Sequence, residues 1–339
     1  MSEPHTPSAG ATLLGMPEVP AQRATTDDGP VRFGAGHHFT LAPGASLDEL
    51  VAAMTVPLSV ILQVTKRCNF DCSFCSEILQ LPDPTLDQLD QIRANLAGVR
   101  RVFLSGGEPL LRRDFGDVVD LYQGFLIGVP TNATRGLTHA ARMAGRVAYV
   151  NVGLEGPRAI TSRVRGDYDD VMRGVRALQE EGLPLSLSAV VYRSTLAGLP
   201  YLAQIADVLD AGKVKLIMPL RKGNALDLDA SEFLSDDEAA QTFDRLTELR
   251  TLFGRRPALR LTTWTPQTEG HMIVIEPTGA AHAWPVYDAP DLWEPLGNVL
   301  DEPIGEIWKR YRFKRNHVAK YLGQSIHTVR HGTPAAAHA

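Results

Sequence analysis

Cysteine is almost absent from this chain. Only three of its 339 residues are Cys, and all lie between Cys68 and Cys75. An odd count with tiny loops between the members makes a poor disulfide framework, which argues against a disulfide-stapled secreted scaffold. No run of residues approaches the roughly 18 consecutive apolar positions of a membrane span. The N-terminus, Met-Ser-Glu-Pro-His, lacks the basic and apolar regions of a secretory signal. The expectation is a cytoplasmic protein with no membrane attachment. Basic excess is missing too: 34 Lys and Arg stand against 39 Asp and Glu, for a formal net charge of -5. Nucleic acid is therefore not an expected partner. Clustered thiols in a reducing compartment point to a metal or redox site.

What the chain has instead is a rhythm. With 44% hydrophobic residues it holds ample material for a core. Residues 1–45, rich in Pro, Ala, Gly, Thr and Asp, predict a disordered arm or a short cap. "ASLDELVAAMTV" predicts a short helix, with Ser46 as N-cap and Glu49 at the capping-box position. From Ser59 on, β-rich runs at 59–65, 101–105, 125–131, 147–154, 185–192 and 213–220 alternate with helical patterns. Strands that are apolar nearly throughout predict a parallel sheet buried on both faces. Six such units predict an α/β open partial barrel over residues 46–223, with functional groups on loops after the strands' C-terminal ends. After residue 223 come a helix capped by Ser235, two strands, a "PTGAA" turn and a single closing helix over "PIGEIWKRYRFKRNHVAKYL". These predict a small α+β cap at 224–325, and residues 326–339 read as a disordered tail.

Cys68, Cys72 and Cys75 directly follow the first β-rich run, in a C-x3-C-x2-C spacing. Thiolates are soft ligands that suit zinc or iron–sulfur clusters. A structural zinc site closes with four ligands, so a zinc knuckle would have to borrow a distant His. A zinc-stabilised binding protein without turnover is thus one reading. Three cysteines can also hold a 4Fe–4S cube and leave one iron open to an exogenous molecule. The second run ends in "LSGGEPLL", whose two glycines permit close approach of a ligand.

The cysteine loop and the Gly-Gly-Glu-Pro turn one βα unit later together resemble the radical S-adenosylmethionine (radical SAM) superfamily. The resemblance implies a partial (βα)6 barrel and one 4Fe–4S cluster on Cys68, Cys72 and Cys75, with S-adenosylmethionine on the fourth iron. It implies that Phe74 lies near the adenine and that Gly106, Gly107 and Glu108 hold the methionyl amino group. "PTNAT" resembles a TNG-type turn, which would bring Asn132 toward the cofactor. "VGLEGPRAITSRVRGDYDDVMRGVRAL" resembles a segment of the SPASM-type branch. It makes Arg165 a partner for the cofactor carboxylate, with a surface ion pair as the alternative, and Glu155 a further contact. Gly153 stands where that segment usually has Ser, and Glu155 where it has Asp. "KLIMPLRKGNA" resembles the sixth-strand segment, where Ile217 or Met218 would pack on the adenine or in the core.

The last third resembles the skeleton of a SPASM or twitch domain, with Trp284 about where its first cysteine would stand. No cysteine is left for a second cluster, so the reading is a cluster-free remnant and a redox-neutral rearrangement or coupling. Tyr149, Tyr192 and Tyr287 are candidate hydrogen donors, and Arg221, Lys222, His271, His282, Trp284 and Asp288 candidate substrate residues. The basic run at 308–315 reads either as a phosphate site or as a solvated helix face. The resemblance implies a small-molecule substrate, a sugar, nucleoside or nucleotide sugar of antibiotic biosynthesis, as with the radical SAM chemistry of tunicamycin. It also implies an external reductant such as flavodoxin or ferredoxin. The alternative is a ribosomal peptide that is epimerised or crosslinked.

Overall fold

The structure of the protein, a computed structural model, describes residues 31–34, 38–41, 46–250, 258–262, 268–286 and 294–322. The expected N-terminal arm lies largely outside these. Its described part is a small antiparallel hairpin of β1 (Val31–Gly34) and β2 (His38–Leu41). Helix α1 (Leu47–Ala53) follows, and Ser46 and Glu49 cap it reciprocally as expected, at 2.8 and 3.1 Å.

Each expected run becomes a strand: β3 (Ser59–Thr65), β4 (Arg101–Gly106), β5 (Leu126–Thr131), β6 (Tyr149–Gly153), β7 (Leu185–Val190) and β8 (Lys213–Ile217). Between them run α2 (Leu86–Asn95), α3 (Phe115–Leu121), α4 (Gly136–Met143), α5 (Arg158–Val164), α6 (Tyr168–Glu180) and α7 (Leu199–Val208). All neighbouring pairs from β3 to β8 are parallel. Strand alternation divides the side chains. Val60, Leu62 and Val64 of β3, Val102 and Leu104 of β4, and Val150 and Val152 of β6 are at most 1% exposed and pack into the main hydrophobic core. Burial of each such side chain stabilises the fold by about 1.5–3 kcal/mol. The alternate positions, among them Gln63, Ser105, Asn151, Ser188 and Lys215, face the lumen and are largely polar. The barrel thus has an apolar jacket and a polar interior wall.

The C-terminal third contributes to the same sheet. After α8 (Asp236–Arg250), β9 (Ala258–Thr262) pairs parallel with β8. At the other edge β10 (Met272–Ile275) pairs parallel with β3, followed antiparallel by β11 (Ala280–Trp284) and β12 (Gly297–Asn298). The result is one ten-stranded open sheet, β12-β11-β10-β3-β4-β5-β6-β7-β8-β9. The hairpin turn falls on "PTG", with Gly279 at φ +83°, a left-handed conformation that glycine adopts without strain.

The expected single closing helix is two: α9 (Ile304–Arg310) and α10 (Lys314–Leu322). The break at Tyr311 lets that ring stack on Trp308 at 5.5 Å and reach the Met272 carbonyl with its hydroxyl at 3.0 Å. A continuous helix would not direct these contacts at β10.

Candidate active site at the cysteine loop

The loop after β3 carries Cys68, Cys72 and Cys75 at the C-terminal end of the barrel. Cys68 is exposed, Cys75 partly buried and Cys72 buried. Burial raises the pKa of all three thiols, that of Cys72 to about 12. Cys68 and Cys72 each feel the charge of Cys75, so the three share one neighbourhood. A metal group would bind them as thiolates and release their protons.

Three polar stitches fix this loop. The Gly-Gly-Glu-Pro turn is pinned from beneath: Gly107 N donates to Thr65 O at 2.9 Å and Glu108 N to Arg67 O at 2.8 Å. A Cβ on Gly107 would lie 2.5 Å from the Arg67 carbonyl, and one on Gly106 would overlap that of Thr65. Both glycines are therefore required by the close approach of two backbones. Glu108 is 1% exposed, and its carboxylate accepts from Thr131 Oγ1 and Asn132 N, both at 2.6 Å, and from Leu110 N at 2.9 Å. Burial raises its pKa while these three bonds pull it down. The side chain thus joins β4 to β5, leaving the turn's backbone carbonyls as what it offers a ligand. Asn132 completes the link, donating from Nδ2 to Asn69 Oδ1 at 3.0 Å. Asn69 in turn donates to Thr134 Oγ1 at 3.0 Å.

From the far side, Asn224 donates from Nδ2 to Asp71 Oδ1 at 2.7 Å and Cys72 O at 3.0 Å, and from its backbone to Cys75 O at 2.9 Å. Neither Asn69 nor Asn224 was expected from sequence. The only signal was the "KGNA" that ends the sixth-strand segment and the Asn one place after Cys68.

Arg165 adjoins the loop. Its guanidinium forks onto Glu155 at 2.6 and 2.7 Å and lies over the Phe74 ring at 5.1 Å. Glu155 is fully buried and Arg165 nearly so, so this is not the surface ion pair held open above. Burial works against the Arg165 charge, but Glu155 outweighs it and raises the pKa further. Gly153 explains how the pair fits: a Cβ there would overlap the guanidinium. The two departures from the usual segment are one arrangement, a longer carboxylate and a missing side chain that together house Arg165.

The remaining expected residues separate by depth. Tyr192 is 2% exposed and beside the loop, hydrogen-bonded to Ser73 Oγ at 3.1 Å and 6.1 Å from Phe74 between ring centroids. Tyr149 opens β6 at the opposite end of the barrel, edge-on to Phe103. His271 also lies at that end, fully buried and bonded to the Thr268 carbonyl, so it does not face a substrate. Trp284 pairs with Met272 across β10–β11 and packs on His271. Ile217 ends β8 on the lumen side and Met218 is buried next to it. Arg221 lies over the Phe233 ring at 4.0 Å. Tyr287 and Asp288 lie outside the described residues.

Lys222 and His282 belong to a network that sequence did not reveal. Lys66 Nζ reaches Glu77 at 2.7 Å and Glu276 at 3.3 Å; Lys222 Nζ reaches Glu77 at 3.3 Å, and His282 Nε2 reaches Glu276 at 3.5 Å. Hydrogen bonding from His282 takes the Glu276 pKa to about 2. Burial pushes Glu77 up, but Lys222 and Lys66 outweigh it and hold its carboxyl below the usual range.

Among the described residues no three His, Cys, Asp or Glu side chains converge on one ion position. A cube takes its thiolates at three separate iron corners, so it does not require that convergence. Three soft donors on one loop fit an iron–sulfur cluster bound through three irons. The comparisons agree. A sequence model of the radical SAM superfamily matches residues 62–198. Residues 62–198 form a radical SAM domain. Members of that superfamily are enzymes that bind a 4Fe–4S cluster and S-adenosylmethionine.

Two relatives bracket the radical SAM region. A probable GTP 3′,8-cyclase of Methanopyrus kandleri is 34% identical over 175 residues, 48% of this chain and 57% of that protein. A PqqA peptide cyclase of Rhodopseudomonas palustris is 32% identical over 180 residues, 48% of this chain and 46% of that one. The chain thus spans about half the length of the curated relatives it matches. Among solved structures, anSMEcpe with bound AdoMet and a Cp18Cys peptide superposes with a TM-score of 0.62 at 17% identity, over 80% of this chain and 82% of that one. Streptococcus suis SuiB bound to its precursor peptide SuiA gives 0.60 at 12% identity, over 80% and 72%. At these identities the likeness establishes the radical SAM fold.

Proposed function

We propose that this chain reductively cleaves S-adenosylmethionine and directs the resulting radical at a C–H bond of a small molecule, a sugar or nucleoside. The observation that carries the reading is the cysteine loop stitched to both the Gly-Gly-Glu-Pro and "TNAT" turns at the strands' C-terminal ends. A 4Fe–4S cluster on Cys68, Cys72 and Cys75 would supply the electron that breaks the cofactor's C–S bond and leaves a 5′-deoxyadenosyl radical. The chain's own residues position the reactants. Backbone carbonyls of Gly106 and Gly107 are acceptors suited to the methionyl ammonium. Arg165, held protonated by Glu155, keeps a guanidinium edge for the methionyl carboxylate. Phe74 and Ile217 supply apolar surface for the adenine. Tyr192 and Ser73 close the wall behind the loop against water.

A nucleoside or sugar reading is supported by the relatives named GTP 3′,8-cyclases. It is supported also by a lumen wall in which Ser186 donates to Asn151 at 2.9 Å and Asn151 to Ser188 at 2.8 Å. With three cysteines in the chain, no second cluster can draw on its thiols, which favours redox-neutral chemistry fed by an external flavodoxin- or ferredoxin-type reductant. A cytoplasmic location accords with that, and no helix among the described residues is long and apolar enough to cross a membrane. The second reading is a peptide substrate, favoured by the PqqA peptide cyclases and by peptides bound to the solved neighbours.

Anaerobic reconstitution tests the core of this. About four irons per chain and 5′-deoxyadenosine formed only with dithionite are expected. Fewer than about three irons, or no dithionite-dependent product, would refute it. Deuterium transfer into 5′-deoxyadenosine from labelled nucleosides or from labelled peptides separates the two substrate readings.

A further inference from the structure

The lumen wall made by β3, β10 and β11 contains an unfilled hydrogen-bonding position. Gln63 alternates with Leu62 and Val64, which pack against the helices, so it faces the lumen. It is 4% exposed. Its Nε2 donates to Glu77 Oε2 at 3.0 Å. An ionised carboxylate only accepts, so this contact fixes which end of the amide is nitrogen. Oε1, at the other end, is buried and has no hydrogen-bond partner. A buried acceptor left unpaired destabilises the fold and calls for an explanation.

The surroundings say what is missing. Register places Ile61 beside Val274 and Leu62 beside Ile275, so Gln63 is level with Glu276, which His282 reaches from β11. The charges there are already matched: Lys66 and Lys222 against Glu77 and Glu276. Glu77, Glu276, Lys222 and His282 are each 21–27% exposed, so the wall opens toward solvent while Lys66 closes it behind. A charged ligand group would upset this balance. A neutral donor would complete it.

We propose that Gln63, framed by Lys66, Glu77, Lys222, Glu276 and His282, is a substrate subsite for an uncharged hydrogen-bond donor, a hydroxyl or amide N–H, received by Gln63 Oε1. This rests on the reading that the lumen admits the molecule on which the radical acts. The anchor sits two residues before the end of β3, directly beneath the cysteine loop. A donor held there places its carrier within the barrel mouth.

The test uses the reconstituted protein and Gln63→Met, with guanosine and N-acetylalanine methylamide as probes. Without a probe the variant loses both the unpaired acceptor and the Nε2 bond to Glu77, so its melting temperature is expected to stay within about 3 °C of the wild type. One probe is expected to raise the melting temperature of the wild type and to do so at least fivefold less in the variant. A guanosine response places the donor on a nucleoside, and a methylamide response places it on a peptide. The proposal is overturned if neither probe shifts the wild type, or if both proteins shift equally. It is overturned also if the variant does not fold, because the side chain then serves the fold. Dithionite-dependent 5′-deoxyadenosine from the wild type without probe reports separately on the enzyme reading.

Discussion

At the scale of single residues, the two departures at Gly153 and Glu155 turned out to be one device. Replacing Gly153 with Ser introduces a Cβ where the Arg165 guanidinium lies. Gly153→Ser is expected to raise the KM for S-adenosylmethionine at least tenfold, measured by 5′-deoxyadenosine formation against cofactor concentration. Glu155→Gln keeps the shape but leaves a buried guanidinium without its charge partner. Breaking a buried pair from one side costs about 3–5 kcal/mol, which a denaturant titration would read directly. An unchanged midpoint for Glu155→Gln would show that Arg165 relaxes to solvent instead. The close approach of the glycine turn to the cysteine loop is likewise a residue-scale fact. The two glycines were expected to admit a ligand, and what they admit first is neighbouring backbone.

At the scale of elements, α10 is joined to the sheet through one imidazole. His317 Nε2 accepts from Leu58 N at 3.0 Å, just before β3, and Nδ1 donates to the His271 carbonyl at 3.0 Å, just before β10. Both contacts fix the neutral tautomer and tie three elements together. His317→Leu fills similar volume but orphans one buried N–H and one buried carbonyl, each worth about 1–3 kcal/mol. A loss of roughly 2–4 kcal/mol is expected by chemical denaturation, and a loss under 1 kcal/mol would show that backbone shifts re-pair both groups. The strands and most helices were legible because hydrophobic alternation and capping residues are local signals. Ser46 and Ser235 both cap where the pattern predicts, and Thr85 caps α2 in the same way. The break between α9 and α10 was not legible. It is set by where Tyr311 must reach, a carbonyl on β10 distant in sequence.

At the scale of the whole molecule, two of the described histidines, His271 and His317, are fully buried and neutral. Burial takes His271 well below its usual pKa and His317 to about 3. In the unfolded chain both gain a proton near pH 6.5. The unfolded state therefore binds more protons below that pH, and stability falls as pH drops. Each group contributes a slope of about 1.4 kcal/mol per pH unit, from near 6.5 down to near 3 for His317. Melting temperature is expected to decline steadily between pH 7 and 5, and His317→Leu should flatten part of that decline. A profile level to pH 5 would contradict the burial of both rings.

The sequence by itself determined the chemistry of the centre and the rhythm of the barrel. Thiol number and spacing and the glycine turn are local, and so are strand and helix periods, because they depend on neighbours a few residues apart. Only the tertiary structure decided what surrounds that centre. Asn132 and Asn224 converge on the loop from two separate strand ends, Asn132 onto Asn69 and Asn224 onto Cys72. Lys66, Glu77 and Glu276 meet across more than two hundred residues of chain. Such pairings follow from strand order and register, which place β10 beside β3. No property of either segment alone specifies that neighbour.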